Sequence, residues 1–214
     1  MKKILTLLAL SLTVMVIAQN KITEGVIFST ATMNTDNELI QAQFDTMGDM
    51  KTVTYFKDGK SRAELSNPMS GDVITLIDSK NMLVLMDNPA LGKLYMVQNI
   101  KEAEAQVNDI EVIEGTKIKT ILGYKCKQFT IKVKQDAGDV EMEIYTTEDI
   151  PVKSQQISMA GDKVKGFPLY VAIKMNQMGA DVVITTQVTE IKEETVSDDK
   201  FNMTPPEGYK NMNE

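Results

Sequence analysis

Apolar and polar residues alternate with a period of two in segment after segment, and each segment ends on residues that turn a chain back. Successive side chains of a strand point to opposite faces, so this pattern gives every segment one face for a core and one for water. The sharpest case is Met50 to Lys57, then Asp58-Gly59, then Lys60 to Ser66. Asp-Gly supplies the positive φ angles of a two-residue hairpin turn. A second hairpin is expected from Gly71 to Asp78 and Asn81 to Asp87. A third sets Phe129, Ile131 and Val133 on one face against Val140, Met142 and Ile144, across the turn Asp136-Ala137-Gly138-Asp139. Lys132 and Lys134 then face outward with Glu141 and Glu143, a cross-strand charge match. A fourth runs from Leu169 to Met178 and returns from Asp181 to Ile191 across Gly179-Ala180. With Gly25 to Met33 as an opening strand, nine or more strands are predicted, enough for a sheet that curls strongly or closes into a barrel.

Two segments carry helical spacing instead. Asn37 to Met47 places Leu39, Ile40, Phe44 and Met47 along one side, with Asp36 or Asn34 as the expected N-cap. Ile100 to Val107 is rich in Glu and Ala, which favour helix. Both are too short to stand alone and must dock an apolar side on the sheet. The first, inserted between two strands, is placed either as a lid over one end of the curled sheet or as plain cover for the core.

The run Met82-Leu83-Val84-Leu85-Met86 is apolar on both faces, so its strand needs cover on both sides. Fifteen methionines stand against six phenylalanines and no tryptophan. Flexible, polarizable thioethers suit surfaces that accept several apolar shapes, and equally fill irregular core volume. Met33, Met47, Met50, Met96, Met175 and Met178 are candidates for one apolar interior.

At the N-terminus, Lys2 and Lys3 precede a nearly unbroken apolar run, Ile4 to Ile17, that ends in Val16-Ile17-Ala18. A basic start, a short apolar stretch and small residues at the cut read as a secretory signal peptide over residues 1–18. The run falls short of the roughly 20 residues a membrane-crossing helix needs. Without it, residues 19–200 are expected to form a single antiparallel β domain, followed by a polar, proline-bearing tail over 201–214. The balance of the remaining chain is 21 basic to 30 acidic residues. That net negative charge argues against nucleic acid and anionic membrane surfaces as partners. Cys126 is the single cysteine, so no internal disulfide and no lipidated cysteine at the cleavage point can form; burial is its expected state. The chain holds no histidine, which removes the usual general base and the commonest transition-metal ligand together. No nucleophile elbow, phosphate-cradling loop or dinucleotide fingerprint appears. Paired carboxylates, Glu141 with Glu143 and Asp198 with Asp199, sit at spacings usual for solvated faces. The reading is of a non-enzyme with no cofactor and no metal.

The stretch from Thr116 to Phe129, centred on Gly123-Tyr124-Lys125-Cys126, resembles the centre of an exported bacterial family, domain of unknown function 4412. Lys57 to Glu64, Gly166-Phe167-Pro168-Leu169 and Pro206-Glu207-Gly208-Tyr209 agree with it. The resemblance implies a Bacteroidota-type envelope protein, periplasmic with secretion as the alternative destination. It also implies a fold similar to the LolA, LolB and LppX carriers of lipoproteins and lipids. The expected class is therefore mainly β (α+β): a strongly curved antiparallel sheet or half-open β-barrel, LolA-like, with one or two short helices as a lid.

The resemblance transfers no site residues. In such a barrel the apolar concave face and the lid would bind the ligand, which makes Leu39, Ile40, Phe44 and Met47 the first candidates and Leu83, Leu85, Ile173 and Met175 the second. Gly123, Tyr124 and Cys126 read as architecture. Two functions stand: a carrier or sensor for an apolar ligand, such as an acyl chain or a lipidated protein, and a structural or interaction module of the envelope with a filled core.

Overall fold

The computed structural model describes residues 21–213 apart from 68–70, 107–109, 135–137, 159 and 178; the signal peptide expected over residues 1–18 lies outside these. The chain runs through β1 (Glu24–Thr35), α1 (Glu38–Met47), β2 (Met50–Lys57), β3 (Lys60–Asn67), β4 (Gly71–Ile77), β5 (Asn81–Asn88) and β6 (Gly92–Asn99). It continues through α2 (Ile100–Gln106), β7 (Ile110–Ile121), β8 (Tyr124–Val133), β9 (Val140–Thr147), α3 (Gln155–Ser158), β10 (Phe167–Gln177), β11 (Ala180–Lys192) and β12 (Lys210–Asn211). The twelve strands among the described residues join one sheet, in the order β12-β6-β5-β4-β3-β2-β1-β11-β10-β9-β8-β7. Every pairing is antiparallel except the short β12 against β6.

Hairpin chemistry sets the register. Asp58 and Gly59 take φ of 48° and 80° between β2 and β3, and Leu122 and Gly123 take 51° and 86° between β7 and β8. Paired positive φ angles match the right-handed twist of the strands they join. Phe129 faces Ile144, Ile131 faces Met142 and Val133 faces Val140, as the alternation requires. The tip of that hairpin, at 135–137, lies outside the described residues. At the β10–β11 turn Gln177 already pairs with Ala180, so Ala180 opens the strand rather than sitting in the turn.

The sheet curls without closing. Only residues 100–109 link β6 at one edge to β7 at the other. A seven-residue helix and four extended steps span at most about 25 Å. The two edges are therefore drawn toward each other at that end, and the result is a half-open barrel.

Both faces are partly covered by segments outside the sheet. On the concave face, residues 148–166 between β9 and β10 form a strap whose Ile157, Ala160 and Val164 pack on Phe129, Ile131, Met142, Ile144 and Val171. The strap is fixed to the opposite flank, where Ser61 of β3 donates to the Lys153 carbonyl (3.0 Å) and Thr75 of β4 donates to Gln155 (2.8 Å). Gly166 ends it with a φ of 83°, where any Cβ would lie 2.2 Å from the Thr147 carbonyl oxygen. No other residue fits that approach.

On the convex face, the polar tail expected over 201–214 and the residues just before it form a packed band. Val196 and Phe201 are buried with Val26 against Phe28, Val53 and Tyr55. Met203 and Tyr209 then cover Leu76, Leu83 and Leu85, and Lys210–Asn211 pair with β6. Charged contacts tie the band down: Lys57 Nζ lies 2.9 Å from Asp198 and 3.3 Å from Glu24, and the Val196 amide donates to Glu24 at 2.7 Å. Polarity alone is a poor guide to order here. Four apolar residues, irregularly spaced, are enough to anchor a polar segment on an apolar face.

Candidate functional site

The register assigns every strand residue to a face. One concave row runs Thr52, Leu65, Val73, Met86, Leu94, and the next runs Ala63, Thr75, Val84, Met96. On the other flank Met33, Ile184, Ile173 and Met142 form a row, beside Thr35, Val182, Met175 and Val140. The strap does not reach all of this surface. Leu65, Val73, Met86, Leu94 and Met96 on one side, and Met33, Ile173, Met175 and Ile184 on the other, are only half-buried. The concave face is thus a trough, packed beneath the strap and lined with accessible apolar side chains beyond it.

A cavity of about 200 Å3 lies where the strap crosses the trough. Six strands and the strap supply its wall, with Leu65, Val73, Ile77, Phe167, Leu169 and Val188 as the apolar part. Ser29, Thr52, Thr54, Ser61, Thr75 and Thr186 supply hydroxyls.

The eight candidate residues separate. Ile173 and Met175 lie on the concave face. Leu83 and Leu85 do not: they lie on the convex side of β5, buried beneath Met203 and Tyr209. Their neighbour Val84 takes the inward position instead and is buried, while Met82 and Met86 on the same face stay half-buried. Leu39 is 80% exposed on the outer side of α1 and cannot line an interior. Ile40, Phe44 and Met47 form the half-buried stripe of that helix, which packs on β1. Asn37, not Asp36 or Asn34, caps it, accepting from the Leu39 and Ile40 amides at 3.1 and 3.2 Å. Gln41 accepts from the Thr35 amide and fastens the helix to the end of β1. Cover over the cavity comes from the strap, which no periodicity announced.

Cys126 is buried, with its thiol 3.5 Å from the Tyr124 carbonyl. Burial pushes its pKa up to about 11, so the thiol stays protonated and unreactive at neutral pH. Together with the Leu122-Gly123 turn, this places the central motif in the β7–β8 hairpin as architecture.

The model of the domain-of-unknown-function family DUF4412 matches residues 38–209, most of the chain. The chain belongs to that family. Family membership thus agrees with the central motif and its three companions. No curated protein matches the sequence. Among solved structures, the chain is similar to PNGF-II at 14% identity and a TM-score of 0.42, over 87% of this chain and 30% of that one. It spans less than a third of PNGF-II. It is also similar to the Mycobacterium tuberculosis lipoprotein LppX, at 8% identity and a TM-score of 0.29, over 80% of this chain and 88% of LppX. Likenesses this distant carry nothing about function. Among the described residues, no helix is long and apolar enough to cross a membrane.

Proposed function

We propose that this DUF4412 protein is exported to the cell envelope and binds the apolar part of a lipid, an acyl chain or a lipidated protein in its concave trough, without catalysing a reaction. One observation carries the reading: a row of accessible apolar side chains, Leu65, Val73, Met86 and Leu94, continues from the cavity wall along the open concave face. Apolar surface of this kind gains about 25 cal/mol for each Å2 removed from water, and a ligand is one way to remove it. Methionines within the trough adapt to chains of different shape. The leader sequence supplies the export route, and the acidic balance of the remaining chain keeps the protein off anionic membrane surfaces.

The test is titration of delipidated protein with a fluorescent acyl probe. Saturable binding is expected, lost in Met86→Asp while the far-ultraviolet circular dichroism stays unchanged. Absence of saturable binding, together with native mass spectra of freshly purified protein that show no bound lipid, would overturn the proposal.

A second reading, an interaction module, is favoured by the distribution of exposed apolar residues. Val97 on β6, Ile113 and Ile118 on β7 and Leu122 beside it all lie at the two open edges, Ile118 being 69% exposed. Open edges present free backbone groups to a partner strand. Capture of the same envelope protein by the wild type and not by Ile118→Pro would support it, and identical captures by both would count against it.

A further inference from the structure

The hydroxyls around the cavity are not all satisfied from within the protein. Ser61 and Thr75 spend theirs on the strap. Among the described residues, the side chains of Ser29, Thr52, Thr54 and Thr186 make no hydrogen bond, and Thr54 is only 7% exposed. The four stand on three neighbouring strands: Ser29 of β1 pairs with Thr52 of β2, Thr54 lies two residues on, and Thr186 of β11 faces Ala31 of β1. Among the described residues no side-chain oxygen is both buried and unpaired, so these hydroxyls open on the cavity, where water or a ligand can satisfy them. Four together, beside a space large enough for several waters, form a polar patch directed at an occupant.

The character of the wall restricts that occupant. Lys153 is the one charged residue in the lining, and its side chain is exposed on the strap. An anionic group seated among the hydroxyls would lose its hydration without a buried counter-charge. A neutral group that both accepts and donates, such as an alcohol, ester or amide, would match hydroxyls that do the same. Leu65 and Val73 belong both to the cavity wall and to the apolar row leading out through Met86 and Leu94. Polar and apolar subsites are therefore continuous.

We infer that the cavity is the head-group subsite of a neutral amphiphile: an uncharged hydroxyl-, ester- or amide-bearing head sits among Ser29, Thr52, Thr54 and Thr186, and its acyl chain lies along Leu65, Val73, Met86 and Leu94. The inference rests on the trough reading above and goes further in naming the ligand class. The four hydroxyls act as binding donors and acceptors on the cavity wall where the strap crosses it.

Three probes of equal reach separate the two claims: monoolein, with a neutral head; oleate, with the same chain and an anionic head; and diphenylhexatriene, with no head. The variant is Thr54→Val with Thr186→Val, which keeps side-chain shape and removes two hydroxyls. Monoolein is expected to bind more tightly than oleate at pH 8, and the double variant to weaken monoolein about tenfold while leaving diphenylhexatriene within twofold. Thermal stability of the unliganded variant should be equal to or above that of the wild type, because the lost hydroxyls have no partner; a purely structural role would lower it. Equal binding of monoolein by variant and wild type, or tighter binding of oleate, would overturn the head-group assignment while leaving the trough intact. Binding of none of the three would remove the trough reading as well.

Discussion

Cys126 shows how completely environment determines what a side chain can do. An unpaired thiol invites intermolecular disulfides wherever its surroundings are oxidising, yet this one is enclosed with Ile121, Tyr145 and Ile150 and its pKa is raised to about 11. Alkylation by iodoacetamide at pH 8 should accordingly be slow in the native protein and fast in 6 M guanidinium, read by intact-mass spectrometry. Rapid labelling of the native form would contradict the burial. The linkage follows the same sign: above pH 9 the unfolded thiol ionises and the folded one does not, so this group lowers stability as pH rises toward 11. Leu83 makes the complementary case on the convex face. It is fully buried among Leu76, Leu85 and Met203, and Leu83→Ala should cost about 2–5 kcal/mol in denaturant unfolding while leaving ligand binding unchanged. A loss of binding at unchanged stability would place Leu83 in the site after all.

At the scale of elements, hairpins were the most legible part of the chain. Asp58-Gly59 and the matched runs of β8 and β9 need only local rules, period two and a turn that accepts positive φ. What escaped were segments whose order depends on a distant face. β7 breaks its own alternation at a bulge between Glu114 and Ile118, and β6 mixes Leu94, Tyr95 and Met96 with no polar face. The strap and the C-terminal band have no periodicity, since each is held by scattered anchors, Ile157 and Val164 in one and Val196, Phe201 and Tyr209 in the other. The apolar Leu39 looked like part of a lid because spacing cannot say which side of a short helix meets the sheet. The band also carries a pH signature. Hydrogen bonding to Lys57 lowers the Asp198 pKa below its ordinary 3.8, and the same contact raises that of Lys57 above 10.5. The attraction is complete between these values and fades as pH falls through the depressed carboxyl pKa or rises through the elevated amine pKa. Asp198 is exposed and Lys57 only half-buried, so the stabilisation is small and screened by salt. Carboxyl titration by NMR should find Asp198 below 3.8 in the wild type and near it in Lys57→Met; the same midpoint in both would remove the ion pair.

At the scale of the whole molecule, one curled sheet serves two purposes with its two faces. The convex face is covered on its β1 to β6 side by the C-terminal band, over Phe28, Tyr55, Leu76, Leu83 and Leu85. The concave face is sealed only where the strap crosses it, and the apolar rows beyond are left to solvent or to a ligand. An apolar trough leading into a hydroxyl-lined cavity describes an amphiphile's two ends. The methionines make this directly measurable, because the methyl resonances of those in the sheet and the band report on both faces at once. Titration of the protein, labelled at the methionine methyl carbon, with monoolein tests the account most sharply. Met33, Met86, Met96 and Met175 of the concave face should shift in a saturable manner, while Met203 of the convex band and Met212 beyond β12 stay fixed. Shifts confined to Met203 and Met212, or none at all, would contradict ligand binding in the trough.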